Sequence, residues 1–207
     1  MKKKSITITI IVCAVILVAT LLIIGGVFLF GRRVSNDEAL DIVNDIVKDS
    51  LELNEIYFGI GLSFNDNGIE SDDFSPVSAE SPYQSRDDLE KKTYEIFSKE
   101  YAESIIDMAF MPQSSYGVSN FTRYTARGGS TDGNGYLYVY EKIEPTIEEF
   151  GEYDFSTTKI IKNSRSFIVA EITTKDGYTN RITLVYEGKE NGESLYGGWR
   201  LDTSTYV

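Results

Sequence analysis

The chain has 207 residues, with 20 Lys+Arg against 32 Asp+Glu, one Cys and no His. Without histidine it cannot run Ser-His-Asp or Cys-His catalysis or hold a His-ligated zinc, and the single Cys13 excludes an intrachain disulfide or a cysteine metal cluster. A net charge of -12 argues against a nucleic-acid partner, while 42% hydrophobic and 13% aromatic residues make the chain too apolar to be disordered throughout.

The charge is unevenly placed. Residues 1–33 carry Lys2, Lys3, Lys4, Arg32 and Arg33 and no acid, which leaves 15 basic against 32 acidic residues, net -17, for 34–207. Between the basic clusters, Ile6 to Phe30 is uncharged for 25 residues and rich in Ile, Val and Leu. As a helix it would span roughly 37 Å, enough to cross a hydrocarbon core of about 30 Å with some tilt. The run exceeds a signal-peptide core and no small-x-small site closes it, and Cys13 follows Ile11-Val12 rather than a small residue. The segment therefore reads as an uncleaved anchor, neither a cleaved signal peptide nor a lipoprotein leader. Three lysines before the span against two arginines after it predict a cytoplasmic N-terminus and an external 34–207 domain in the cell membrane.

Ser35-Asn36-Asp37-Glu38 has the spacing of a capping box, and Leu40, Val43, Ile46, Val47 and Leu51 follow at helical intervals, predicting a core-packing helix over 36–54. Residues 61–85 are polar and rich in Gly, Asn, Asp, Ser and Pro, and read as a long loop. Ser85 and Ser98 are each placed to start a helix, giving two helices, 86–97 and 99–111, with a break near Phe97-Ser98. From about 121 onward the chain reads as strands: 121–126, 135–142, 155–162, 165–174, 181–187 and 198–203. Turns are expected at Lys162–Arg165, Lys175–Tyr178 and Lys189–Gly192. Helices followed by a meander give an α+β domain, not a βαβ one.

Three stretches are similar to a known pattern. The helical run from Ser85 to Ala102, the strand Gly135–Tyr140 and the closing Trp199–Tyr206 resemble the IseA-type DL-endopeptidase inhibitors of Gram-positive bacteria and, equally, the cone-shaped domains called nuclear transport factor two-like. The resemblance covers about residues 83–206. It implies helices packed on one strongly curved antiparallel sheet, and a non-enzymatic protein that blocks a cell-wall peptidase through an exposed hairpin loop. Such inhibitors are typically secreted, whereas this chain keeps an anchor, and no residue set here marks the inhibitory loop.

Candidate chemistry is sparse. Arg127–Gly135 is Gly-rich but lacks the phosphate-loop Lys and sits between strands, and it lacks the closing Glu of a calcium loop. It reads as a flexible hairpin loop, with partner contact through Arg127, Ser130, Asp132 and Asn134 as the functional alternative. Adjacent acids such as Asp72-Asp73 and Glu148-Glu149 are expected by chance among 32 and read as solvated surface, and the Asn120-Phe121-Thr122 triplet carries no weight. The strand aromatics read first as core, with a pocket of Tyr124, Tyr138, Trp199, Arg200 and Asp202 as the alternative. No catalytic residue, cofactor or metal site is expected. The sequence thus predicts a lipid anchor through residues 6–30 and an external domain that binds a cell-wall peptidase or other envelope protein, without enzymatic activity. The alternative is a pocket protein for a small molecule or peptide.

Overall fold

The computed structural model describes residues 33–65, 73–110, 123–128, 135–142, 145, 151–188 and 195–206. The proposed anchor, Cys13 and the 189–192 turn lie outside them. Among the described residues no helix is long and apolar enough to cross a membrane.

The domain is α+β, with helix α1 (Asn36–Phe58), strand β1 (Phe74–Pro76), α2 (Arg86–Ile96), α3 (Lys99–Ala109), β2 (Tyr124–Arg127), β3 (Tyr136–Tyr140), β4 (Tyr153–Asn163), β5 (Phe167–Thr174), β6 (Thr179–Tyr186) and β7 (Trp199–Leu201). Ser35 caps α1 by accepting from the Glu38 amide at 3.1 Å. The helix buries Ala39, Val43, Ile46, Val47, Ser50, Leu53, Asn54 and Tyr57, a stripe of period three to four. It runs four residues past the expected end at 54, because its last turn is held from outside. The Tyr124 hydroxyl donates to the Ile56 carbonyl at 2.7 Å, and Arg123 Nη1 donates to the Gly59 carbonyl at 2.6 Å. No basic residue stands in that last turn, so buried Arg123 supplies the cation that complements the helix C-terminus.

The helix break falls between Phe97 and Ser98. Phe97 is extended at φ -94°, ψ 153°, and pairs with Leu201 in a single parallel bridge. Ser98 accepts from the Tyr101 amide to start α3 and gives its own amide to the Leu201 carbonyl at 2.8 Å. Ser85 and Asp88 form a full capping box at the head of α2.

The strands form two antiparallel sheets, ordered β1-β3-β2 and β4-β5-β6-β7. This corrects the expectation of one strongly curved sheet, and the reason is local. Phe74, Ser75 and Pro76, inside the stretch read as a loop, pair with Tyr140, Val139 and Tyr138. They occupy the edge of β3 that β4 would have needed. Pro76 suits such a place, since proline lacks an amide and is tolerated at a sheet edge.

The four-stranded sheet buries Ile168, Ala170 and Ile172 of β5, Ile182 and Leu184 of β6, and Trp199 and Leu201 of β7. These alternate with partly exposed residues, the period-two pattern of a half-buried sheet. They join the buried faces of all three helices and the buried side chains Tyr124, Leu137 and Val139 in one core. Lys48 Nζ sits 5.1 Å from the Phe155 ring, so even a solvated lysine of α1 contributes to packing against β4.

The chain closes on a buried polar cluster. Thr205 shares a hydrogen bond with Ser50 at 2.6 Å and accepts from Asn54 Nδ2 at 2.8 Å, and its carbonyl accepts from the Tyr153 hydroxyl at 2.9 Å. Asn180 donates to that hydroxyl at 2.7 Å. Thr205→Val keeps the shape and leaves the Asn54 amide without its acceptor, so it should destabilise the protein by about 2 kcal/mol. Thr205→Ser, which keeps the hydroxyl, should lose less than half of that. Urea titration followed by circular dichroism measures both, and a larger loss for Thr205→Ser than for Thr205→Val would show that the methyl, not the hydroxyl, carries the contact.

Candidate interaction surface

The sequence Tyr136-Leu137-Tyr138-Val139-Tyr140 sorts itself by parity. Leu137 and Val139 enter the core, and the three tyrosines take the other face of β3, about 7 Å apart along the strand. Register puts Thr125 and Arg127 of β2 and Phe74 and Pro76 of β1 on that same face. The result is an aromatic row across the three-stranded sheet.

Arg127 is its centre. Its guanidinium carbon lies 4.8 Å from the Tyr138 ring and 5.3 Å from the Phe74 ring, a cation between two π faces. The Phe74 and Tyr140 rings meet at 5.3 Å. Phe74 is buried beneath these neighbours, whereas Tyr136, at the loop end of the row, is 71% exposed. At the other end Lys142 and Asp73 pair at 2.7 Å, and Asp73 adopts φ +63° to enter β1.

The hairpin is pinched where its loop begins. A Cβ on Gly135 would lie 2.4 Å from the Gly128 carbonyl oxygen and 2.8 Å from Arg127 backbone atoms, so only glycine lets the strands approach this closely. Arg127 therefore stands at a fixed neck, immediately before residues 129–134. Ser130, Asp132 and Asn134 belong to that loop and lie outside the described residues.

The five pocket candidates separate. Tyr124 and Tyr138 are on opposite faces of the three-stranded sheet, while Trp199, Arg200 and Asp202 belong to the β7 end of the other. Each has its own partner. The Tyr124 hydroxyl, its pKa raised by burial, donates to Ile56 and accepts from the Leu62 amide at 3.1 Å. Trp199 packs edge-on against Tyr186 at 5.4 Å. Arg200 Nε donates to the Tyr94 carbonyl at 2.8 Å, serving the end of α2, and Asp202 accepts from the Ser98 hydroxyl.

Tyr136 and Tyr140 belong to the row; in the sequence they stand with Tyr124, Tyr138, Tyr186 and Trp199 as strand aromatics that read first as core, Tyr138 alone of β3 being among the named pocket residues. The strict Tyr-x-Tyr-x-Tyr alternation was the available signal. Phe74 had none, because a three-residue strand ending in proline has no period to read. Among the described residues no group of three or more acidic, Cys or His side chains is placed to hold a metal ion. A comparison with protein-family models, curated proteins and solved structures finds no match.

What the row can do follows from its residue types. Tyrosines offer large apolar faces with a polar tip and few rotatable bonds, and with arginine they are the side chains most enriched at binding hot spots.

Proposed function

We propose that this is a single-pass membrane protein, anchored through residues 6–30 with its N-terminus in the cytoplasm, whose external domain binds an envelope protein through the β2–β3 hairpin. The observation that carries the binding reading is the Tyr136/Tyr138/Tyr140 row, exposed at Tyr136 and half-buried at the other two, with Arg127 over the Tyr138 ring at the neck of the Gly-rich loop. In its sharpest form the partner is a cell-wall peptidase, held inhibited by this hairpin as the resemblance to the IseA-type inhibitors implies.

The full chain in detergent, titrated into a purified DL-endopeptidase acting on peptidoglycan, should suppress hydrolysis at micromolar concentration. Tyr136→Ala and Arg127→Ala should each weaken suppression at least about tenfold, the range of a hot-spot truncation. Tyr136→Ala should leave the thermal midpoint close to wild type because that side chain is mostly solvated. Undiminished hydrolysis at micromolar protein would remove the inhibitor form. Unchanged binding of a captured envelope partner by both variants would remove the hairpin. Protease added to intact cells should degrade the domain; full protection would reverse the orientation.

A further inference from the structure

The start of the domain is tied to a turn far away in sequence. Asn163, the last residue of β4, donates through Nδ2 to the Val34 carbonyl and to Asn36 Oδ1, both at 3.0 Å. Its own Oδ1 is buried without a partner, so its amide group alone makes the clamp. The apolar run ends at Phe30, four residues before Val34. Four residues reach at most about 14 Å when fully extended. If that run ends at a bilayer surface, the β4–β5 turn stands beside the same surface.

The composition of the turn fits this position. Residues 158–167 contain Lys159, Lys162 and Arg165 and no acid, in a domain whose acids outnumber its bases two to one. With Arg33 this end has four cations among the described residues, against Asp37 and Glu38 on the first turn of α1. Lys162, Arg165 and Arg33 are exposed. Lys159 stands further along β4 opposite Glu171, whose carboxylate takes Arg181 at 2.9 Å, so the solvated cations nearest the turn are Lys162 and Arg165. Between them and Lys159 the ladder slips. Ile160 pairs with Ala170 and Lys162 with Val169, which leaves Ile161 as the extra residue of a bulge, 43% exposed. Bulges re-aim side chains, and this one presents an isoleucine beside two cations. Lys162 Nζ also lies 4.6 Å from the Phe167 ring, holding its stem along the turn.

We infer that the β4–β5 turn docks on the membrane, with Lys162 and Arg165 on anionic lipid headgroups and Ile161 at the headgroup boundary. The contact fixes the domain's tilt on its anchor and turns the opposite end of β5 away from the bilayer. It rests on the reading of residues 6–30 as a membrane span, and the experiment separates the two.

The full chain carries a single environment-sensitive dye at Ile161→Cys in a Cys13→Ala background, and a control carries it at Tyr178→Cys, beyond the far end of β5. Both are reconstituted into vesicles of phosphatidylcholine with or without phosphatidylglycerol, each containing a headgroup-spin-labelled lipid as quencher. With phosphatidylglycerol the dye at 161 should be quenched and the dye at 178 should not. Lys162→Glu with Arg165→Glu should reduce quenching at 161 at least about fivefold, the weight of one surface cation at an anionic membrane. Protein that floats with the vesicles while the 161 dye stays in water, or is quenched no more than the 178 dye, overturns the docking and leaves the anchor standing. Quenching indifferent to phosphatidylglycerol and to the charge reversal overturns the headgroup contact. Protein that does not float with vesicles overturns the anchor and the docking together.

Discussion

Raising the pH above about 10 should unfold this domain, whereas between about 6 and 9 its stability should hardly change. The chain has no histidine and its one cysteine, Cys13, lies outside residues 34–207, so no side chain of this domain with an ordinary pKa titrates in that flat interval. The alkaline limit belongs to the tyrosines. Burial raises the pKa of Tyr57, Tyr83, Tyr124 and Tyr196, and pushes Tyr101 up to about 12. After burial, the next cause is a neighbouring acid for two of them: Tyr83 donates to Glu52 at 3.2 Å, and Tyr196 donates to Asp49. A phenol is neutral while protonated, so a raised native pKa means the folded chain keeps protons that the unfolded chain has released. The unfolded state therefore binds fewer protons above about pH 10, and stability falls as pH rises. For Tyr101 the loss runs from about 10 to about 12. Tyrosinate absorbance and circular dichroism recorded together should show buried phenols ionising with loss of structure, in one cooperative step. Ionisation of every tyrosine near pH 10 with the fold intact would show that these rings are not buried as described.

Trp199→Ala should cost about 3–5 kcal/mol, the range for emptying a large aromatic site in a core. Trp199 is 2% exposed, and its ring meets Tyr186 edge-on at 5.4 Å on the inner side of β7. The strand has little room to adjust, because a Cβ on Gly198 would lie 2.8 Å from the Gly188 carbonyl oxygen and 2.9 Å from Tyr186 Cε2. Trp199→Phe should lose less than half as much. As the only tryptophan, Trp199 reports on its own site, and its native emission should be blue-shifted. Guanidinium titration followed by circular dichroism decides. A loss below about 1 kcal/mol would mean the ring lines an open space rather than filling the core.

How much of this could be read in advance differs by element. Ser85 and Ser98 announced their helices because capping is a local bargain between a hydroxyl and an amide three residues on. The alternation in β6 and β7, Ile182 and Leu184 in one and Trp199 and Leu201 in the other, is likewise visible in the chain itself. The division into two sheets was not, because it hangs on Phe74–Pro76 taking an edge of β3 some 60 residues later, a choice that no local pattern encodes. The candidate surface was legible in fragments. In the sequence Arg127 reads as part of a loop, and Tyr138 as core with a pocket as the alternative. Antiparallel pairing of β2 with β3 brings them onto one face, 4.8 Å from ring to guanidinium. Arg200 shows the same limit: its sequence neighbours suggest a strand, but its work is to complete a helix that ended about a hundred residues earlier.

The Thr205 cluster has a consequence for how the protein is made. Ser50 and Asn54 are synthesised early, and their buried partner arrives 155 and 151 residues later. At about 5–20 residues per second that is a delay of roughly 8–30 s, during which α1 carries polar groups on the stripe it will bury. The early helix is thus kept soluble by the same side chains that later fasten it, and a chain cut short before 205 never acquires its latch. Ribosome-bound fragments should stay protease-sensitive at α1 until the last strand has emerged.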